Sequence, residues 1–344
     1  MFFPLGGQVM AMTSRITFFL LLVVCSGCLP VEEDSWQHYQ SGGHYPARTP
    51  AMAPDGSVIV FSSPRTGNGD IYQINRDGTQ LVRLTDSSAF ETDPIFSSDG
   101  SIIAFAREAD GRRHIWLMDR DGSKQRQLTS GRVLDDPWAF SPDGSELILQ
   151  RSPLSMGMGR SVTSYAANPR SKQIRTLEAS PVYSPDGARV AYGQYNEPNK
   201  IFEIWIADAD GSNKRLLVSG HSPRFSPDGN TILYSTENSD PGSLWKMIDI
   251  DGSNSRELGR VEGPVFAPDG KHVLCLSPEW QREIWKLEFD GSNRKRLQAP
   301  TGYIDFFRPC RDGFIIKLVT DDRVGDIYVV DTDEWNVERV ASMR

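Results

Sequence analysis

A four-residue turn phrase returns along the whole length of this chain. It reads Ala-Pro-Asp-Gly at 53–56, Ser-Ser-Asp-Gly at 97–100, and Ser-Pro-Asp-Gly at 141–144, 184–187 and 226–229. Ala-Pro-Asp-Gly follows at 267–270, and a decayed Cys-Arg-Asp-Gly at 310–313. The closing glycines at 56, 100, 144, 187, 229, 270 and 313 are 44, 44, 43, 42, 41 and 43 residues apart. Each residue type has a physical reason to be there. Pro presets φ at a turn corner, Asp caps nearby backbone, and Gly accepts positive φ. A period of about 40–45 residues is that of a four-stranded propeller blade.

The stretches between the turns fit that unit. A short apolar strand follows each phrase: Val58–Phe61, Ile102–Phe105, Leu147–Leu149, Val190–Tyr192, Ile232–Tyr234, Val273–Cys275 and Ile315–Leu318. Such runs suit strands covered on both faces. Next comes an apolar–aromatic pair, as in Ile71-Tyr72, Ile115-Trp116, Ile204-Trp205, Leu244-Trp245, Ile284-Trp285 and Ile327-Tyr328. A second turn, Asp-Gly at 77–78, 121–122, 210–211, 251–252 and 290–291, is a hairpin signal. The third repeat is expected to depart, with Val162-Thr163 in place of the pair and Asn168-Pro169 in place of Asp-Gly. Its Met- and Gly-rich loop, 153–160, reads either as drift or as a binding lip. One such sheet cannot cover its own faces, but a radial stack can. The expected fold is all-β: a seven-bladed β-propeller of four-stranded antiparallel blades over residues 45–344. A six-bladed ring is the alternative, and requires one copy to be partial.

The pattern Pro-x-Phe-Ser-Pro-Asp-Gly, then a strand, Ile-Trp and Asp-Gly-Ser, resembles the WD-repeat-like units of TolB-like propellers. Pro181–Gly187, Pro223–Gly229 and Pro264–Gly270 carry it best. The resemblance implies the fold across nearly all of the mature chain. It leaves activity open, since the family spans periplasmic translocation proteins, oligopeptidase propellers and carbohydrate-active lyases. Two features depart from TolB itself: only a short segment separates Cys28 from the first repeat, and the repeats number seven where TolB has six blades.

Ahead of the repeats, an apolar run at 16–24 follows Arg15, and Cys25-Ser26-Gly27-Cys28 comes after it. The run is shorter than the ~20 residues a spanning helix needs, so it reads as an export signal. Ser-Gly-Cys there resembles the bacterial lipobox, with residues 1–27 removed, Cys28 lipidated and 28–44 a tether. Met10 and Met12 are both candidate starts. An exported protein on a bacterial envelope membrane is expected, facing the periplasm or the cell surface. Export permits a disulfide between Cys275 and Cys310, whereas their positions on apolar strands suit free cysteines; both readings stand.

The formal charge is −8, and loss of the leader removes only Arg15, moving it to −9. That balance repels phosphate backbones, and no nucleic-acid partner is expected. No Gly-x-Ser-x-Gly elbow, phosphate loop or paired-cysteine zinc spacing occurs in the sequence. Asp208–Asn213 and Asp249–Asn254 resemble calcium loops only faintly, and turn chemistry accounts for them. No catalytic residue, metal or cofactor is expected. The entrances to the innermost strands, just before each turn phrase, carry Glu91, Asp93, Asp135, Asp136, Glu178, His221, Glu262 and Asp305. Converging on one mouth, they would form an acidic rim suited to a basic peptide, cation or cationic sugar, or simply line a wet channel. The expected role is a monomeric, non-catalytic scaffold that binds an envelope protein or peptide. The alternative is a carbohydrate-active lyase or hydrolase that uses the rim carboxylates.

Overall fold

The structure, a computed structural model, describes residues 50–154, 162–236, 242–278, 283–298, 303–310, 313–319, 325–331, 335 and 337–342. The leader, Cys28, the tether and positions 155–161 of the third-repeat loop lie outside these. The side chain of Asp305 lies outside them too. Among the described residues all regular elements are strands, and no helix is long and apolar enough to cross a membrane.

Consecutive strands pair antiparallel in the order of the chain, which gives a propeller-like series of meanders. In the second repeat Phe90–Phe96 pairs with Ile102–Ala109, which pairs with Arg112–Asp119, which pairs with Arg126–Gln127. The first and fourth repeats repeat this order, and so does the last, from Tyr303–Cys310 to Val337–Ser342. The long strand Arg256–Phe266 serves two repeats: its start pairs with Ser243–Asp249 and its end with His272–Leu276. Every apolar run read from the sequence lies within a second strand.

The turn phrase works as a small hydrogen-bonded unit. In the third repeat the Ser141 hydroxyl donates to Asp143 (2.6 Å) and accepts the Glu146 N–H (3.0 Å). Asp143 accepts the Ser145 N–H (3.0 Å), and the Gly144 N–H reaches the Ser141 carbonyl (2.8 Å). The leading serine is therefore part of the lock. The last copy differs, because Gly313 pairs directly with Cys310 in a tighter hairpin.

Strand register corrects the reading of the third repeat. Phe105 faces Trp116 in the second repeat, and Leu149 faces Tyr165 in the third. Tyr165, not Val162-Thr163, thus holds the aromatic position. Asn168 also does the work of the missing Asp-Gly aspartate, accepting the N–H groups of Arg170 (2.9 Å) and Ser171 (2.8 Å).

The core lies between neighbouring sheets. Val60, Ile71 and Leu84 meet Ile103, Phe105 and Met118. Ile115 and Leu117 meet Leu147 and Leu149, and Ala191 and Ile204 meet Ile232 and Tyr234. Further clusters join the fifth repeat to the sixth and the sixth to the seventh. One more cluster packs Ile59, Phe61 and Tyr72 of the first repeat against Ile315, Ile327 and Val329 of the last. No disulfide joins Cys275 to Cys310, and burial pushes the Cys275 thiol up to about 12.

Among the described residues, no such cluster joins the third repeat to the fourth. The register explains this. Ser164 and Ala166 stand where the second repeat has Ile115 and Leu117. The Ser164 hydroxyl instead hydrogen-bonds the Ser180 hydroxyl across the junction, at 2.6 Å.

Candidate functional site

The entrance of the first strands is built around a recurring β-bulge. In the second repeat Thr92 faces Ala106 and Ile95 faces Ala104, so Asp93-Pro94 together oppose Phe105. The same shift falls at Ser222-Pro223 and at Gly263-Pro264. The first bulged residue takes positive φ: 53° at Asp93, 54° at Ser222 and 52° at Gly263. Asp93 and Ser222 carry a side chain in a region such residues seldom occupy, and proline follows each. Bulges of this kind re-aim side chains and gather near binding sites.

The expected rim residues sit around this feature. Register places Glu91 opposite Arg107 and Asp135 opposite Arg151. Both carboxylates are fully buried and both are ion-paired. The Glu91 Oε1 atom accepts Arg107 Nε (2.7 Å) and the Ser87 hydroxyl (2.7 Å). Asp135 accepts two N–H groups of Arg151 in a fork, at 2.6 and 2.8 Å. Each arginine also lies over an aromatic ring, Arg107 at 4.0 Å from the Trp116 centroid and Arg151 at 4.8 Å from that of Tyr165. At Trp116 and Tyr165 the repeated aromatic position thus supports the Arg107 and Arg151 cations as well as the sheet packing.

Asp136 is tied across two repeats. The almost fully buried Arg113, from the third strand of the second repeat, donates to Asp136 (2.6 Å) and to Glu108 (2.8 Å). The entrance between the second and third repeats therefore alternates in sign, with three arginines locked among Glu91, Glu108, Asp135 and Asp136. His221 and Glu262 take the register of Thr92 in their own repeats. His221 is buried, with its ring 5.9 Å from that of Phe202 and Nδ1 3.1 Å from the Ser222 hydroxyl. Glu178 stands apart on an exposed segment, 3.3 Å from Lys214. Asp305 lies in the strand Tyr303–Cys310, at the register shift between Ile304 and Phe306.

The arginines are what sequence reasoning missed. A signal existed for two of them: Glu91 and Asp135 each precede their arginine by 16 residues, and that arginine lies two positions beyond Phe105 or Leu149 of the apolar strand. Among the described residues, no group of three or more His, Cys, Asp or Glu side chains could hold a metal ion.

Comparison with known proteins comes to the same architecture. The TolB beta propeller domain matches residues 38–194 and 104–265, together more than half of the chain. Among solved structures, TolB from Acinetobacter baumannii is similar at 20% identity, with 73% of this chain and 66% of that chain covered and a TM-score of 0.50. A puromycin-hydrolyzing peptidase of Mycobacterium tuberculosis is similar at 17% identity, covering 86% of this chain and 53% of that one, TM-score 0.66. An oligogalacturonate lyase from Vibrio parahaemolyticus is similar at 14% identity, covering 83% and 89%, TM-score 0.60. The chain thus spans about half of the peptidase and just under two thirds of that TolB.

Proposed function

The chain belongs to the TolB beta propeller domain family, and on that premise we propose that it is a scaffold of the bacterial envelope, binding a protein or peptide partner without catalysis. In this reading Cys28 carries the lipid anchor, the mature protein is a monomer, and its sheets close into a ring of seven blades. The cluster that packs Ile59 and Phe61 against Ile315 and Val329 supports closure, because it brings the first repeat against the last. The partner docks at the entrance end of the first strands.

One observation carries the binding reading: the preformed alternation of charge around the Asp93 bulge. Arg107, Arg113 and Arg151 are each held by carboxylates at hydrogen-bonding distance, and Arg107 and Arg151 also by ring stacking. For the partly exposed members, Arg107, Arg151, Glu108 and Asp136, ordering on binding costs about 0.5–1.5 kcal/mol each, so side chains already ordered lower the cost of association. Asp93, Glu178 and Glu262 add acidic character, which suits a basic segment of the partner.

The anchored protein, used as bait in an envelope extract, should retain a partner that the variants Asp93→Ala and Asp136→Ala lose. Retention unchanged by both substitutions would overturn the entrance as the docking site. Changing Cys28 to Ala should move the protein out of the membrane fraction, and unchanged fractionation would remove the anchor from the account.

A lyase or hydrolase reading has one observation in its favour, the match over 89% of the length of an oligogalacturonate lyase. Turnover of uronate-containing glycans that disappears in Asp136→Asn or His221→Ala would replace the scaffold reading with that one.

A further inference from the structure

A concave surface separate from the charged entrance lies toward the turn end of the first strands, between the third and fourth repeats. It has a volume of about 550 Å³, and its walls are Trp138, Phe140, Pro142, Pro181, Tyr183 and Pro185, with Ser98 at the margin. It opens at the junction that lacks an apolar cluster, where Ser164 and Ala166 stand in for larger residues.

Trp138 is the distinctive residue. The bulge that holds Asp93-Pro94 in the second repeat holds Pro137-Trp138 in the third. A tryptophan therefore takes the position that proline fills at Pro94, Pro223 and Pro264. Nothing about turn or strand formation calls for an indole there.

We propose that this cleft binds an extended, uncharged, proline-bearing peptide segment. The inference rests on the peptide-binding reading for its class of ligand, but uses a different surface from the charged entrance. Charge matching is the first argument: among the described residues no charged side chain lines the cleft, so a charged occupant would lose its hydration without a partner. Hydrogen-bonding capacity is the second. The Ser184 hydroxyl is engaged with Asp186 and with the Arg189 backbone, and the Ser98 hydroxyl donates to the Ser141 carbonyl. The polar groups left on the lining side chains are the Trp138 indole N–H, a pure donor, and the Tyr183 hydroxyl. A tyrosine hydroxyl is protonated at neutral pH and able to donate, and burial raises the Tyr183 pKa further above its ordinary value. A prolyl segment offers carbonyl acceptors and lacks N–H groups, whereas a sugar brings many donors that this lining does not match. Flat aromatic walls interleaved with proline are also the surface on which polyproline II segments dock.

The test titrates the full chain with acetyl-hexaproline amide by calorimetry, with an uncharged Gly-Ser hexapeptide and cellotetraose in parallel. Hexaproline should bind, and Trp138→Ala should weaken it by about tenfold or more. Tyr183→Phe keeps the ring and loses only the hydroxyl, so it serves if Trp138→Ala fails to fold; it should weaken binding about threefold. Three results would overturn the proposal: no hexaproline binding, binding that neither substitution changes, or cellotetraose binding that depends on Trp138. Each of them leaves the charged entrance untouched, because that surface is judged by retention of the envelope partner.

Discussion

At the scale of single residues, two kinds of position hold the design together, and each gives an experiment. Gly187 sits in its turn at φ 71°, and a Cβ there would come within 3.0 Å of Pro142 Cβ in the neighbouring turn. Gly187→Val should therefore cost about 1–3 kcal/mol from backbone strain, read as a lower urea midpoint, and an unchanged midpoint would contradict the turn assignment. Arg107 is the second case. Its removal leaves the fully buried Glu91 carboxylate without its counter-ion, so Arg107→Met should cost about 3 kcal/mol. Adding Glu91→Gln should recover much of that loss, and additive losses would mean that the two groups do not act as a pair.

The turn carboxylates add a pH dependence. Hydrogen bonds from serine hydroxyls and backbone N–H groups hold Asp99, Asp143, Asp186 and Asp228 below the ordinary carboxylate value. A carboxylate with a lowered folded pKa adds stability that is complete above its unfolded value, about 3.9, and is lost as the pH falls through the folded value. Thermal midpoints should stay level from these groups between pH 7 and 5 and drop below about pH 4. A midpoint that holds steady through pH 3 would contradict the serine–aspartate lock.

At the scale of strands and turns, the sequence was informative wherever the chain repeats itself. Apolar runs such as Ile102–Phe105, and pairs such as Ile115-Trp116, lie on the second and third strands because covering both faces needs those residues in every copy. Legibility was lost where a copy shifts its frame. Tyr165 was hidden because Ser164 replaces the usual aliphatic neighbour, so the pair no longer looks like a pair. The bulge was hidden for a different reason: it is a property of register, and Asp93-Pro94 and Pro137-Trp138 share it without sharing residues. Glu91, Asp93, Asp135, Asp136 and Glu262 were legible as carboxylates on or beside the first strands, whereas Glu178 stands outside any strand. The arginine partners were harder to read, because cross-strand pairing brings together residues 16 or 23 apart, and a spacing that long shows only once the strands are aligned.

At the scale of the whole molecule, the fold depends on sheets that cover one another in sequence, and in the proposed ring the last covers the first. Six of the junctions between successive repeats, counting last to first, carry an apolar cluster among the described residues. The junction between the third and fourth repeats is held instead by contacts such as Ser164–Ser180, and leaves room for the Trp138 cleft. The closed ring proposed above would tolerate one loosely filled junction because its neighbours fix the geometry, and a binding surface can form there without a domain of its own. The most direct measurement is a crystal structure of residues 45–344. The account predicts seven four-stranded sheets around one axis, with Ile59 and Phe61 packed on Ile315 and Val329. A ring of six, or an open arc whose first and last sheets face solvent, would contradict it.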